Sequence, residues 1–253
     1  MSDGGFGSRL TIGATPPKPA FYSRGRGDGG WRDWLSLLHP PYTAWNLSYV
    51  AIGAALAHPI RLDRLGWSLL GFFLGLGIGA HALDELHGGP LRTGIASWAL
   101  WAVGLGAIAG AGVDGWLVGG LRLLPFIAVG AFLALGYNLE WFGGFLHNAV
   151  GLSASWAAFP VLTGYYAQHW SISAAAVLVA AAAFAQIFVQ RTLSTPARWL
   201  RRSVRDVRLT ATTTDGTPIT LASDDLLRPL ELALKVLSWS FVPLAVGLVL
   251  AAR

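Results

Sequence analysis

The chain has 253 residues, of which 54% are hydrophobic and only 12% charged, about half the charge fraction of an average soluble domain, which argues against a water-soluble fold. It contains no Cys, which removes disulfides, thiolate nucleophiles and Cys-ligated zinc or iron–sulfur centres, so any metal must sit on His, carboxylate or carbonyl groups. The formal net charge of +5 comes mostly from arginines in the N-terminal arm and one later loop, where membrane orientation explains them and no nucleic-acid partner is called for.

Residues 1–30 are rich in Gly and Pro and hold no apolar core of the kind a cleaved signal peptide needs, so they read as a disordered cytosolic arm preceding one transmembrane domain over 31–253. Trp31-Arg32-Asp33-Trp34-Leu35-Ser36-Leu37-Leu38 reads as a short amphipathic segment in the membrane interface, and Pro40-Pro41 turns the chain into the bilayer. Apolar spans follow at roughly 43–59, 65–86, 93–112, 116–139, 145–168, 171–191 and 227–251, each near the ~20 residues that cross the hydrocarbon. The expected fold class is all-α, a polytopic bundle of about seven transmembrane helices. Glycines at 71, 75, 77, 79, 104, 106 and 110 would let helix backbones approach closely.

Arg9, Lys18, Arg24, Arg26 and Arg32 precede the first span, and Arg191, Arg198, Arg201, Arg202, Arg205 and Arg208 follow the sixth. Both ends of that block, the N-terminus included, are therefore expected on the cytoplasmic side. Ala/Gly/Arg-rich usage suggests a bacterial or archaeal cytoplasmic membrane. The loop at about 192–226 alternates around Asp215-Gly216 and reads as a small β-hairpin or a plain polar loop.

Ionisable residues inside spans are costly and mark function. His81, Asp84 and Glu85 close the second span on one helical face by the i, i+3, i+4 rule, and Asp84-Glu85-Leu86-His87 offers a carboxylate-x-x-His step. Glu140 ends the fourth span and His147 starts the fifth, on the same membrane face as Asp84. His81, Asp84, Glu85, Glu140 and His147 are thus candidate ligands of a divalent ion (Mg, Fe, Mn or Zn), with Asp84, Glu85 and Glu140 as candidate catalytic groups. Asn46, Tyr137, Asn138, Asn148, Arg92, Gln186, Gln190 and Arg191 are candidate substrate contacts or supporting partners. Trp141 and Phe142 could wall the site. His39, His58 and His169 read as bystanders, His87 as a solvated turn residue, and Arg122 as a snorkelling cation.

The stretch His81-Ala82-Leu83-Asp84-Glu85-Leu86-His87-Gly88-Gly89-Pro90-Leu91-Arg92-Thr93-Gly94, with Tyr137-Asn138-Leu139-Glu140 and Phe159-Pro160-Val161-Leu162-Thr163-Gly164-Tyr165-Tyr166-Ala167, resembles the UbiA superfamily of intramembrane prenyltransferases over about residues 40–190. The resemblance implies a metal-dependent membrane enzyme working on prenyl diphosphates, with membrane lipids and a lipid-soluble, isoprenoid substrate as partners. It departs after the sixth span, where Gln186 to Arg198 contains no carboxylate and the family's second Asp-rich motif is missing. Two other functions fit the same residues: a di-iron or di-manganese enzyme oxidising or desaturating a lipid, and a non-enzymatic lipid- or quinone-binding protein.

Overall fold

Pro40 and Pro41 sit in the first turn of a helix, where a missing N–H costs nothing, and they set the start of the central element. The computed structural model describes residues 22–253 except 24, 26, 88, 90 and 205. A short α1 (Trp31–Leu37) leads into α2 (Pro40–Ala55). α3 (Leu62–Leu86) follows, its middle, Phe73–Ala80, wound as π-helix. α4 (Ser97–Gly119) ends in a 3₁₀ turn, Gly120–Arg122, before α5 (Leu124–Asn138). α6 covers 149–169, with a second π-helical stretch at Ala154–Ala158. α7 (Ala174–Arg202), the strands β1 (Arg208–Thr212) and β2 (Pro218–Ala222), and α8 (Ser223–Ala251) complete the chain.

Four helices, Leu62–Leu86, Ser97–Arg122, Ala174–Arg202 and Ser223–Ala251, are long and apolar enough to cross a membrane. The other expected spans also fall on helices, namely α2, α5 and α6. Two boundaries differ from expectation. Gly112, Asp114 and Gly115 read as a break between spans, yet α4 runs through them to Gly119 and buries Asp114. The sixth expected span ends at about 191 and a loop follows, yet α7 carries Pro196 and extends to Arg202, so that Arg198, Arg201 and Arg202 lie on a helix rather than in a loop.

Almost all of α2 is buried, with Trp45, Tyr49, Val50 and Ala54 at the centre of the main apolar core, and it packs on α6 and α8. The α2–α6 crossing has no room for side chains. A Cβ on Gly53 would strike the Val161 carbonyl, and one on Gly164 would strike the Val50 carbonyl. The two backbones touch through reciprocal glycines, the small-residue contact that substitutes for hydrophobic drive between apolar helices. Among the expected packing glycines, Gly79 and Gly104 meet across α3 and α4, whereas Gly106 faces open space.

The bundle has two polar ends. At one, the Arg61 N–H donates to Gln168 Oε1 at 2.9 Å, Arg64 donates to the carbonyls of Ala167 (3.1 Å) and Gln168 (2.9 Å), and the Arg64 and Arg122 guanidiniums lie over the Trp170 ring. The other end carries the start of α2, the ends of α3, α5 and α7, and the hairpin. Of the two readings of the loop before α8, the hairpin is the one observed: β1 and β2 pair antiparallel from Arg208↔Ala222 to Thr212↔Pro218, and Gly216 takes the positive φ (86°) of the turn. Thr213 and Thr217 donate to Asp215 there, holding its carboxyl below the usual carboxylate range.

Substituting Gly53→Val or Gly164→Val should destabilise the protein by roughly 3 kcal/mol or prevent folding, since neither backbone can retreat. Gly106→Ala should instead be neutral or stabilising by up to ~1 kcal/mol. Thermal unfolding of the detergent-purified variants checks both; equal losses at all three positions would remove the α2–α6 crossing as the special contact.

Candidate functional site

Five helices bring polar side chains to one cavity of about 290 Å³. The start of α2 contributes Tyr42 and Asn46, preceded by His39; α3 contributes His81 and Asp84, followed by His87. Tyr137 and Asn138 come from α5, Glu140 and His147 from the turn after it, and Trp156 from α6. α7 supplies Gln190, Arg191, Ser194, Arg198 and Arg202. The expected residues His81, Asp84, Glu140, His147, Asn46, Tyr137, Asn138, Gln190 and Arg191 are therefore brought together.

The π-helical stretches position two of them. Widening a helix frees carbonyls from their usual partners. Asn46 Nδ2 donates to the Trp156 carbonyl at 2.6 Å, and the His81 ring meets the Gly77 carbonyl through Nδ1 at 3.0 Å. A carbonyl can only accept, so Nδ1 carries the proton and Nε2 is the bare nitrogen. Both His81 Nε2 and Asn46 Oδ1 are buried with no protein partner. Asn138 is held by its own helix, donating to Ala134 O at 2.7 Å.

His39, expected to be a bystander, stands in the wall: its ring lies 4.2 Å from that of His81, and the Tyr22 ring covers it at 5.0 Å. Burial, the neighbouring His81 and Arg202 hold its pKa well below the ordinary imidazole value, so it is neutral. Its backbone is left-handed (φ 45°), as is that of Glu140 (φ 51°), two non-glycine residues in a costly conformation on the cavity rim. His147 meets Glu140 at 3.9 Å and stacks on Tyr137 at 4.6 Å.

Several expected site residues do other work. Glu85 is not part of the cavity wall and accepts from Leu91 N (3.0 Å), Thr93 N (2.7 Å) and Thr93 Oγ1 (2.9 Å), so it anchors the loop after α3. Arg92 lies in that loop with a left-handed backbone and does not line the cavity. Asn148 caps α6, its Oδ1 accepting from Gly151 N at 2.9 Å. Gln186 is not part of the wall although Ile187 beside it is, and Trp141 and Phe142 are exposed. His58 and His169 lie away from the cavity, as expected.

The same loop is fastened from its other side by Asp33, a wholly buried carboxylate on α1 that accepts from Gly27 N (3.1 Å), Gly29 N (2.7 Å) and Gly94 N (3.2 Å). The expected disordered arm thus ends earlier than residue 30: residues 1–21 lie outside the described part, but Tyr22 packs on His39 and residues 27–30 are pinned by Asp33. Asp33 escaped notice because it sits in an amphipathic segment, where an acid reads as solvated.

Among the described residues, no three His, Asp or Glu side chains converge closely enough to hold a metal ion. Glu85 is committed to the loop, while His81, its Nδ1 held by Gly77, keeps Nε2 bare toward the cavity side of the bundle as a lone imidazole donor. The wall instead carries Arg191, Arg198 and Arg202 against Asp84 and Glu140. Arg201 points away, pairing with Glu231 of α8 at 3.4 Å. An excess of guanidinium in a confined, partly apolar cavity suits an anion with several oxygens. Comparison with protein families, curated proteins and solved structures finds no match for the chain.

Two measurements probe this arrangement. Glu85→Ala should speed amide hydrogen exchange at Leu91 and Thr93 by about tenfold or more, the loss of roughly 1.5–3 kcal/mol of charge-assisted bonding; unchanged exchange would show that the loop holds without it. A histidine kept neutral by folding binds fewer protons than in the unfolded chain, so His39 contributes stability above an unfolded pKa of about 6.5 that is lost as pH falls below it. His39→Asn, which tolerates the left-handed backbone, should therefore flatten the fall in unfolding temperature between about pH 7 and about pH 5.

Proposed function

We propose that the chain is an integral membrane enzyme of seven crossing helices whose polar cavity takes the phosphate or diphosphate head of a lipid-soluble, isoprenoid-type substrate. The observation that carries this reading is the set Arg191, Arg198 and Arg202 facing Asp84 across one cavity at the end of apolar helices. Large apolar side chains exposed along α4 and α7, such as Val113, Leu117 and Leu178, suit a lipid-facing surface beside it. The arginines of α7 and its following segment support a cytoplasmic side for the cavity and the N-terminus, and the Ala/Gly/Arg-rich usage supports a bacterial or archaeal cytoplasmic membrane.

The sequence likeness to the UbiA superfamily supports prenyl-type chemistry. In such a transfer the allylic C–O bond breaks, its electron pair leaves with the diphosphate, and the acceptor loses a proton as the new bond to the prenyl carbon forms. Guanidinium groups placed where the leaving oxygens gather charge would do the stabilising work. Here three arginines stand where the superfamily's second carboxylate motif would be expected. Asp84, inside the cavity, is placed to take the acceptor proton. The donor set suits Mg²⁺ better than a transition metal, because Mg²⁺ is held by one or two carboxylates together with phosphate oxygens. Glu140 is the carboxylate that would hold it together with phosphate oxygens, which leaves Asp84 for the proton, and the ion would add positive charge to the arginines'.

Detergent-purified protein should bind farnesyl diphosphate, and Arg198→Ala should weaken that binding by about tenfold to a hundredfold, the usual worth of a charge-assisted hydrogen bond. Arg208→Ala, an exposed arginine paired with Asp206 on the hairpin side, should change it less than about twofold. No binding by the wild type would sink the reading. Binding without release of pyrophosphate on incubation with acceptor-containing lipid extract would make the chain a lipid-binding protein rather than an enzyme.

A further inference from the structure

A second cavity, of about 130 Å³, lies between α3, α4, α5 and α6. Its wall is apolar and aromatic, with Phe72, Phe126, Phe159 and Trp156 contributing rings. Two of its hydroxyls are already spent within α6: Ser155 donates to Gly151 O at 2.7 Å and Thr163 to Phe159 O at 2.8 Å. Among the described residues that line it, Asp114 alone has an ionisable side chain. Asp114 is only 7% exposed, and its Oδ1 is buried with no hydrogen-bond partner. The carboxylate reaches this position because α3 has a glycine opposite it: a Cβ on Gly71 would lie 2.6 Å from Asp114 Oδ2.

A carboxyl group left without a partner in such surroundings costs free energy that packing alone does not return. No basic side chain lines the cavity to neutralise it. Whether ionised or protonated, a carboxyl group keeps an acceptor oxygen, so the complement common to both states is a ligand that donates a hydrogen bond. Size restricts the ligand further. A dry cavity of about 150 Å³ in another protein takes up benzene, so 130 Å³ admits a single ring or a branched segment of similar bulk. Phe and Trp side chains in the same wall also favour an aromatic or weakly cationic body.

We propose that this cavity is a second ligand site, distinct from the polar one, for a ring-sized lipid-soluble molecule bearing one O–H or N–H donor, with Asp114 as the group that receives the donor. Trp156 lines both cavities. The proposal does not depend on what the polar cavity binds, since no arginine or histidine of that cavity reaches this one.

Phenol and toluene are the probes, identical in shape except for the donor, measured by ligand-observed NMR on the full chain in nanodiscs. Phenol should bind about tenfold more tightly than toluene to the wild type, the worth of one buried hydrogen bond. The preference should fall to about onefold in Asp114→Leu, which should also melt no lower than the wild type because it removes an unpaired buried carboxyl. Benzylamine binding more tightly than phenol would identify the donor as a cation within the same proposal. Equal affinity of the wild type for phenol and toluene, binding of neither, or a phenol preference that survives in Asp114→Leu would overturn it. Should Asp114→Leu fail to fold, the wild-type comparison of phenol with toluene decides alone.

Discussion

The contact on which the rest depends is the crossing of α2 and α6, where Gly53 lies on the Val161 carbonyl and Gly164 on the Val50 carbonyl. Two backbones at that separation fix the relative height of their helices, because a shift of one turn would drive a side chain into a carbonyl. The height decides which groups face each other at the polar end. Asn46, nearly two turns before Gly53, meets the Trp156 carbonyl in the widened stretch of α6 and cannot do so in any other register. His39 and Tyr42 precede it at the mouth of α2, and His147 precedes α6, so one wall of the polar cavity follows from the crossing alone.

The other walls rest on buried carboxylates used as loop anchors. Glu85 and Asp33 each accept backbone N–H groups from the segment after α3, and together they hold residues 91–94 from both sides. An ionised group buried this way is stable only because several N–H dipoles replace its water. Removing either acid would leave donors exposed and the segment free to move. Asp84, one residue from Glu85, is released by this division of labour to face the cavity, since neighbouring positions on a helix point about 100° apart. Two adjacent acids thus hold a scaffold and line a site respectively.

Much of this was legible in the sequence. Apolar runs placed the helices, and positions 81, 84, 140 and 147 were rightly taken to one end, because alternating crossing directions follow from counting spans. The division between Asp84 and Glu85 was not legible, since helical spacing says which residues share a face within a turn but not which one a following loop will claim. Asp114 was missed because Gly-Val-Asp-Gly is a turn signal taken locally, and only Gly71 on another helix makes room for a carboxylate there. Arg202 was read as an orientation signal; that it lines the cavity together with Arg198 depends on α7 continuing through Pro196. A proline inside a long helix is tolerated when its neighbours supply the missing contacts, which no local pattern reveals. His39 was dismissed because it stands alone in sequence, whereas its partner His81 is 42 positions away and stacks on it only through the fold.

The two cavities share Trp156 and differ sharply in charge. Charge in the polar cavity is met by arginines that have lost part of their water, and field lines in such a confined site reach further than in bulk solvent. The apolar cavity offers no cation and one carboxyl, so it lacks the positive charge that its neighbour presents to an anion. Trp156 is common to both walls, with its carbonyl bound by Asn46 and its ring 5.0 Å from that of His81. Trp156 is the one residue among those described that lines both cavities, so a change at this position alters both walls at once.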